Sequence, residues 1–157
     1  MKEYVVGPVA PVEKTLSLKA PPERAFSHFT DNIAAWWPLT THSLSQAFAR
    51  SVVFEAKSGG RIYEIDATGR EREWGRVREV EKPRRLVFSW VLEEPADATE
   101  VEVAFEPDGK GGTLFTLVHR GWRETKAAVG RRDMYDNGWA PVLAGYRAVL
   151  EDGARAR

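Results

Sequence analysis

The chain has 157 residues, with 23 Lys plus Arg against 23 Asp plus Glu and no Cys. A zero net charge argues against a general nucleic-acid or anionic-membrane binder, because neutralising phosphates needs a basic surplus. The missing Cys removes disulfides, thiolate nucleophiles, iron–sulfur clusters and Cys-ligated zinc.

Hydrophobic residues at 43% and charged residues at 29% are the balance of a folded globular chain, and the length suits one domain over residues 1–157. No apolar run nears the roughly 20 residues of a membrane-crossing helix. Met1 to Val12 lacks the apolar stretch of a signal peptide, so the cytoplasm is the expected compartment. Residues 1–11, with Gly7, Pro8 and Pro11, read as an extended lead-in. VEKTLSLK places Val12, Leu16 and Leu18 on one face of a strand. Pro22 suits a first helical turn and Glu23 its positive end, and Ala25, Phe26 and Phe29 follow at helical spacing, which predicts a helix over 22–30. Asp31 is the expected N-cap of a second helix, 32–36, which ends at Trp36-Trp37-Pro38. Residues 38–50 are polar and irregular.

The period then changes to two. SVVFEAK and RIYEIDA flank the hairpin signal Ser58-Gly59-Gly60. EREWGRVREVE, RLVFSWVLE, TEVEVAFE and TLFTLVHRG follow, separated by turns at 67–70, Lys82-Pro83-Arg84, Pro95 to Ala98 and PDGKGG. Six consecutive strands on short loops form an antiparallel meander. Tyr135, Trp139, Val142, Leu143, Tyr146 and Leu150 then make one helical stripe, in which Pro141 marks either the helix start or a kink. The expected fold class is α+β: a curved antiparallel sheet of about seven strands wrapped on a long C-terminal helix, with two short helices after the first strand.

This order resembles the SRPBCC superfamily, the START-like helix-grip fold shared with birch-pollen-type allergens. Within it, the chain is most similar to the family named after the heat-shock-protein-90 ATPase activator. The strings that carry the resemblance are APPERAFSHFTD with Trp36-Trp37, SGGRIYEID, EWGRVREVEKPRRLVFSW, TEVEVAFEPDGKGGTLFTLVHRGW and YDNGWAPVLAGY, covering about 12–150. The resemblance implies the fold and a cavity between sheet and helix, but no single reaction, since such folds serve lipid carriers, hormone receptors, aromatase/cyclases and co-chaperone domains.

Aromatic residues are 11% of the chain and suit both a core and an apolar ligand cavity. The expected ligand-binding residues are Trp37, Phe54, Tyr63, Phe88, Trp90, Phe105, Phe115, His119, Trp122, Trp139 and Leu143. Phe88, Trp90, Phe115 and His119 are expected to converge on one enclosed pocket beneath the C-terminal helix, on the order of 300–1,000 Å³. His119 is either a polar anchor in that pocket or a satisfied core group bonded to the long helix; the residues favour the second. His42 is a cavity-mouth group or, more readily, a loop cap. Glu64, Asp66, Glu73 and Arg76 read as cross-strand ion pairs on a solvated face rather than an acid/base pair.

No catalytic constellation, cofactor loop or metal-ligand spacing is present in the sequence, so catalytic residues, cofactor and metal are all expected to be none. The leading function is a non-enzymatic module for a small hydrophobic or amphipathic ligand. A cyclase or dehydratase using the same cavity, and a co-chaperone or other protein-partner module, are the alternatives. No nucleic acid and no membrane span are expected, and a homodimer and a chaperone partner stay open.

Overall fold

Segments rich in β-branched and aromatic residues, alternating most cleanly on β6 and β7, form seven strands: β1 (Val12–Leu18), β2 (Ala49–Phe54), β3 (Arg61–Asp66), β4 (Glu71–Glu81), β5 (Arg85–Trp90), β6 (Thr99–Pro107) and β7 (Thr113–Arg120). A computed structural model describes residues 6–91 and 98–155, and it joins these strands in one antiparallel sheet of order β1-β7-β6-β5-β4-β3-β2. The meander β2 to β7 is therefore the one the sequence predicts. β1 closes on β7, pairing Val12 with His119 and Leu16 with Phe115. The expected turn from Pro95 and the end of RLVFSWVLE beyond Val91 lie outside the described residues.

Two short helices, α1 (Pro22–Thr30) and α2 (Ile33–Trp36), connect β1 to β2, and α3 (Lys126–Arg155) follows β7. The arrangement is the helix grip that the element order implies. Pro22 stands in the first turn of α1 as expected. Asp31 does not cap α2. It keeps helical backbone angles as the C-cap of α1, its N–H bonded to the Ser27 carbonyl, whereas a capping side chain needs an extended backbone. Asn32 takes the N-cap position instead, with no side-chain bond.

α3 starts at Lys126, well before Pro141, and runs through that proline. Pro141 cannot donate to the Asn137 carbonyl four residues earlier, so that carbonyl loses its helical partner. The stripe Trp139, Val142, Leu143, Tyr146 and Leu150 is buried, and Tyr135 is half-buried. Tyr146 ties the helix to α1 by donating its hydroxyl to the Ala25 carbonyl at 2.6 Å.

Two register shifts bend the sheet. Ile62 pairs with Gly75 but Tyr63 with Glu73, which leaves Trp74 as an extra residue on β4. A Cβ on Gly75 would lie 1.8 Å from the Ser89 carbonyl oxygen, so only glycine fits this bulge. The second shift falls between Val77 and Glu79. With these bulges Trp74, Gly75 and Val77 are all buried, although a regular strand would turn Trp74 and Gly75 to opposite faces. The outer face carries interleaved ion pairs, among them Arg85 with Glu79, Glu81 and Glu102, and Arg120 with Glu100 and Glu102.

Candidate ligand cleft

The space between sheet and α3 is filled by rings. Phe105 and Phe115 meet at 5.4 Å, Phe54 and Phe88 at 5.2 Å, and Phe29 touches Phe54, Phe105, Phe115 and Tyr146. Phe54, Phe88, Phe105, Phe115 and Leu143 are buried core residues. The enclosed pocket expected around Phe88, Trp90, Phe115 and His119 is thus occupied by side chains. The physical reason is bulk: Phe26, Phe29 and Trp36 from the two short helices enter the same space that the strand rings bound.

His119 is fully buried, and its hydrogen bonds determine its tautomer. The indole N–H of Trp139, on α3, donates to Nδ1 at 3.0 Å. An indole can only donate, so Nδ1 is unprotonated and the ring proton sits on Nε2. Nε2 then donates to Thr99 Oγ1 at 2.6 Å, and Thr99 donates to the Trp90 carbonyl at 3.0 Å. Every polar atom of the chain Trp139–His119–Thr99 is satisfied. Trp122 covers the imidazole at 4.5 Å and donates to the His119 carbonyl. Burial pushes the His119 pKa down to about 3, so the ring is neutral at neutral pH.

An open cleft of about 500 Å³ lies at the mouth of the grip, between residues 38–48 and α3. Thr41, His42, Ser43 and Gln46 form one wall, and Met134, Tyr135, Asn137, Gly138 and Pro141 form the other. Below it a narrow apolar slot of about 30 Å³ runs between Trp37, Trp90, Trp139 and Val142. His42, Tyr135 and Gly138 belong to both. At about 30 Å³ the slot has room for a water or two, far below the size of a small-molecule site. The cleft is open beside Gly138: a Cβ there would meet only His42 Nε2, at 3.9 Å. Thr41 Oγ1 lies 2.8 Å from His42 Nδ1, and the His42 carbonyl accepts from Trp37 Nε1 at 2.6 Å. His42 therefore stands at the cavity mouth while its own loop orients it.

The loop wall hangs on a residue that reads from sequence as a solvated ion pair. Glu64 is fully buried. Its carboxylate accepts from the Leu44 and Ser45 amides at 2.6 and 2.8 Å and from Trp74 Nε1 at 2.6 Å. Burial pushes the Glu64 carboxyl up, but the hydrogen bonds from Ser45, Trp74 and Leu44 outweigh it and hold the group below the usual carboxylate value. Glu73 and Arg76, by contrast, do form an exposed ion pair.

The expected site residues therefore separate. Trp37, Trp90 and Trp139 come together at the floor of the cleft, and Phe54, Phe88, Phe105, Phe115 and Leu143 pack the interior behind them. His119 and Trp122 form a hydrogen-bonded pair between sheet and helix. Tyr63 stands on the outer face, half-buried, with the Arg61 guanidinium 4.0 Å over its ring. Ile62 and Glu64 take the inner positions of β3, so alternation turns Tyr63 away. Thr41, Ser43, Gln46, Met134, Asn137, Gly138 and Pro141 escape the sequence reading; the composition PLTTHSLSQAFAR signals a loop but not which way it folds. Among the described residues no cluster of His, Cys, Asp or Glu could hold a metal ion, and no helix is long and apolar enough to cross a membrane.

A family model described as activator of Hsp90 ATPase homolog 1-like protein matches residues 19–151. An anthrahydroquino-γ-pyrone synthase is similar at 31% identity and a TM-score of 0.59, over 90% of this chain and 97% of that one. CalC, a self-sacrificing resistance protein from Micromonospora echinospora, is 26% identical with a TM-score of 0.72, over 92% of this chain and 96% of its own. An HSP90 activator from Plasmodium falciparum shares the fold at 24% identity and a TM-score of 0.63, over 91% and 97%. No curated protein matches the sequence.

Proposed function

The chain belongs to the family of activator of Hsp90 ATPase homolog 1-like proteins, and on that footing we propose that it binds a small amphipathic molecule with a flat aromatic, polyketide-like body. The observation that carries this reading is the open cleft of about 500 Å³ between residues 38–48 and α3. Its volume falls within the range of small-molecule sites. Met134, Pro141 and the Tyr135 ring offer apolar surface, while His42, Thr41, Gln46 and Asn137 offer polar groups that fix orientation. The similarity to an anthrahydroquino-γ-pyrone synthase supports the ligand class.

The experiment is a fluorescence titration with 8-anilino-1-naphthalenesulfonate, comparing the wild-type protein with Gly138→Trp. The added indole projects into the cleft where only His42 Nε2 stands near. Binding to the wild type, lost in the variant with thermal stability retained, is the expected result; equal binding to both refutes the cleft as the site.

A cyclase-type enzyme is the second reading, favoured by the 31% identical synthase. In it His42, oriented by Thr41, is the proton-transferring group facing the ligand. His42→Ala would then abolish turnover of a polyketide-like substrate while leaving its affinity within a few-fold.

A further inference from the structure

We propose that Glu64 is the positioning residue of the cleft, a buried carboxylate that fixes the loop wall and the aromatic floor in one arrangement. The proposal rests on the reading of the cleft as a ligand site and goes beyond it by assigning what holds the site in shape.

The geometry is specific. Oε1 accepts from both the Leu44 amide and the Trp74 indole, and Oε2 accepts from the Ser45 amide. Leu44 and Ser45 stand between Ser43 and Gln46, two of the four loop residues that line the cleft. Trp74 packs on Trp37 at 5.2 Å and on Trp90 at 5.7 Å, and these are two walls of the slot. One carboxylate therefore reaches both surfaces a ligand would touch.

The named donors are all neutral, which separates this group from the ion pairs of the outer face. A buried charge without such donors is costly, so the loop must close over Glu64 to satisfy it. The loop itself carries strain that needs a tether. Gln46 adopts φ +48°, in the left-handed region, and its amide donates to Ser43 Oγ at 2.7 Å while Ser43 donates to the Leu39 carbonyl. Two consecutive amides on a single carboxylate are that tether. A neutral amide in its place could accept at one oxygen but would present N–H groups to the Ser45 amide, donor against donor.

The test compares Glu64→Gln with wild type and with Val103→Ala, a core substitution on β6 away from the cleft. Each is titrated with 8-anilino-1-naphthalenesulfonate, and the Trp74 indole resonance is followed by nuclear magnetic resonance. Glu64→Gln is expected to lose about tenfold in probe affinity, as for one charge-assisted bond, and to shift the Trp74 N–H resonance upfield. Val103→Ala is expected to keep wild-type affinity although it is destabilised. Unchanged affinity in Glu64→Gln overturns the proposal and leaves the cleft reading standing. No probe binding by the wild type overturns the cleft reading and this proposal with it. Amide exchange in the wild type provides a measurement independent of any variant: the Leu44 and Ser45 amides are expected to be protected and to gain protection with bound probe. Exchange there as fast as in a free loop overturns the proposal even if Glu64→Gln does not fold.

Discussion

Replacing His119 by Gln should remove a defined part of the protein's acid sensitivity. The folded imidazole has its pKa pushed from 6.5 down to about 3 by burial. Between these values the unfolded chain takes up a proton that the folded chain refuses. Stability from this group is therefore complete above pH 6.5 and is lost as pH falls towards 3. The loss runs at about 1.4 kcal/mol per pH unit, so acidification from pH 7 to pH 5 should cost about 2 kcal/mol. In a protein of this size that is a fall in Tm of about 4–8 °C. Gln can accept from Trp139 and donate to Thr99, but it does not titrate. His28 contributes with the same sign, because burial and the nearby Arg24 lower its pKa too, and it does so equally in both proteins. The assay is urea unfolding of wild type and His119→Gln at pH 7 and pH 5. The wild type should lose about 2 kcal/mol more than the variant over that interval. Equal losses would refute the buried, neutral His119 on which the argument rests.

Three further outcomes follow from packing. Gly75→Ala should destabilise by more than about 2 kcal/mol in urea unfolding, because its Cβ meets the Ser89 carbonyl at 1.8 Å, and wild-type stability would show that the bulge is absent. Tyr146→Phe should cost about 1 kcal/mol through the lost bond to the Ala25 carbonyl, read as a shift in denaturant midpoint; no shift would place the hydroxyl in water. Gly138→Ala should raise stability by about 0.5–1 kcal/mol in thermal unfolding, since the helix gains propensity where a Cβ has room, and a loss would mean the cleft is closed there.

The fold was readable because its signals are local. Val101, Val103 and Phe105 alternate cleanly, PDGKGG makes the last hairpin, and the stripe from Trp139 to Leu150 repeats at helical spacing. The site was less readable because it depends on how those elements meet. Alternation can say that Phe88 and Phe115 point inward, but not that Phe26, Phe29 and Trp36 arrive from elsewhere to fill the space. On β3 the apolar pair Tyr63 and Ile65 suggests one inner face, whereas Ile62 and Glu64 hold it. The signal lay in Ile62, which shares parity with Glu64. A carboxylate with that parity reads as solvated until the loop amides that satisfy it are known, and residues 38–50 have no period from which to place them. His42 reads from sequence as a cavity-mouth group or, more readily, a loop cap; it lines the cleft, with Thr41 Oγ1 2.8 Å from its Nδ1.

The proposed function puts a small amphipathic molecule in the cleft between residues 38–48 and α3. Mapping amide and indole shifts in the 15N-labelled protein on titration with 8-anilino-1-naphthalenesulfonate tests it most directly. The largest shifts are expected at Thr41, His42, Tyr135 and Gly138, with the Trp37 and Trp139 indoles moving with them. Shifts confined to the groove around Lys19, Lys110 and Arg147 at the other end of α3, or none at all, would contradict it.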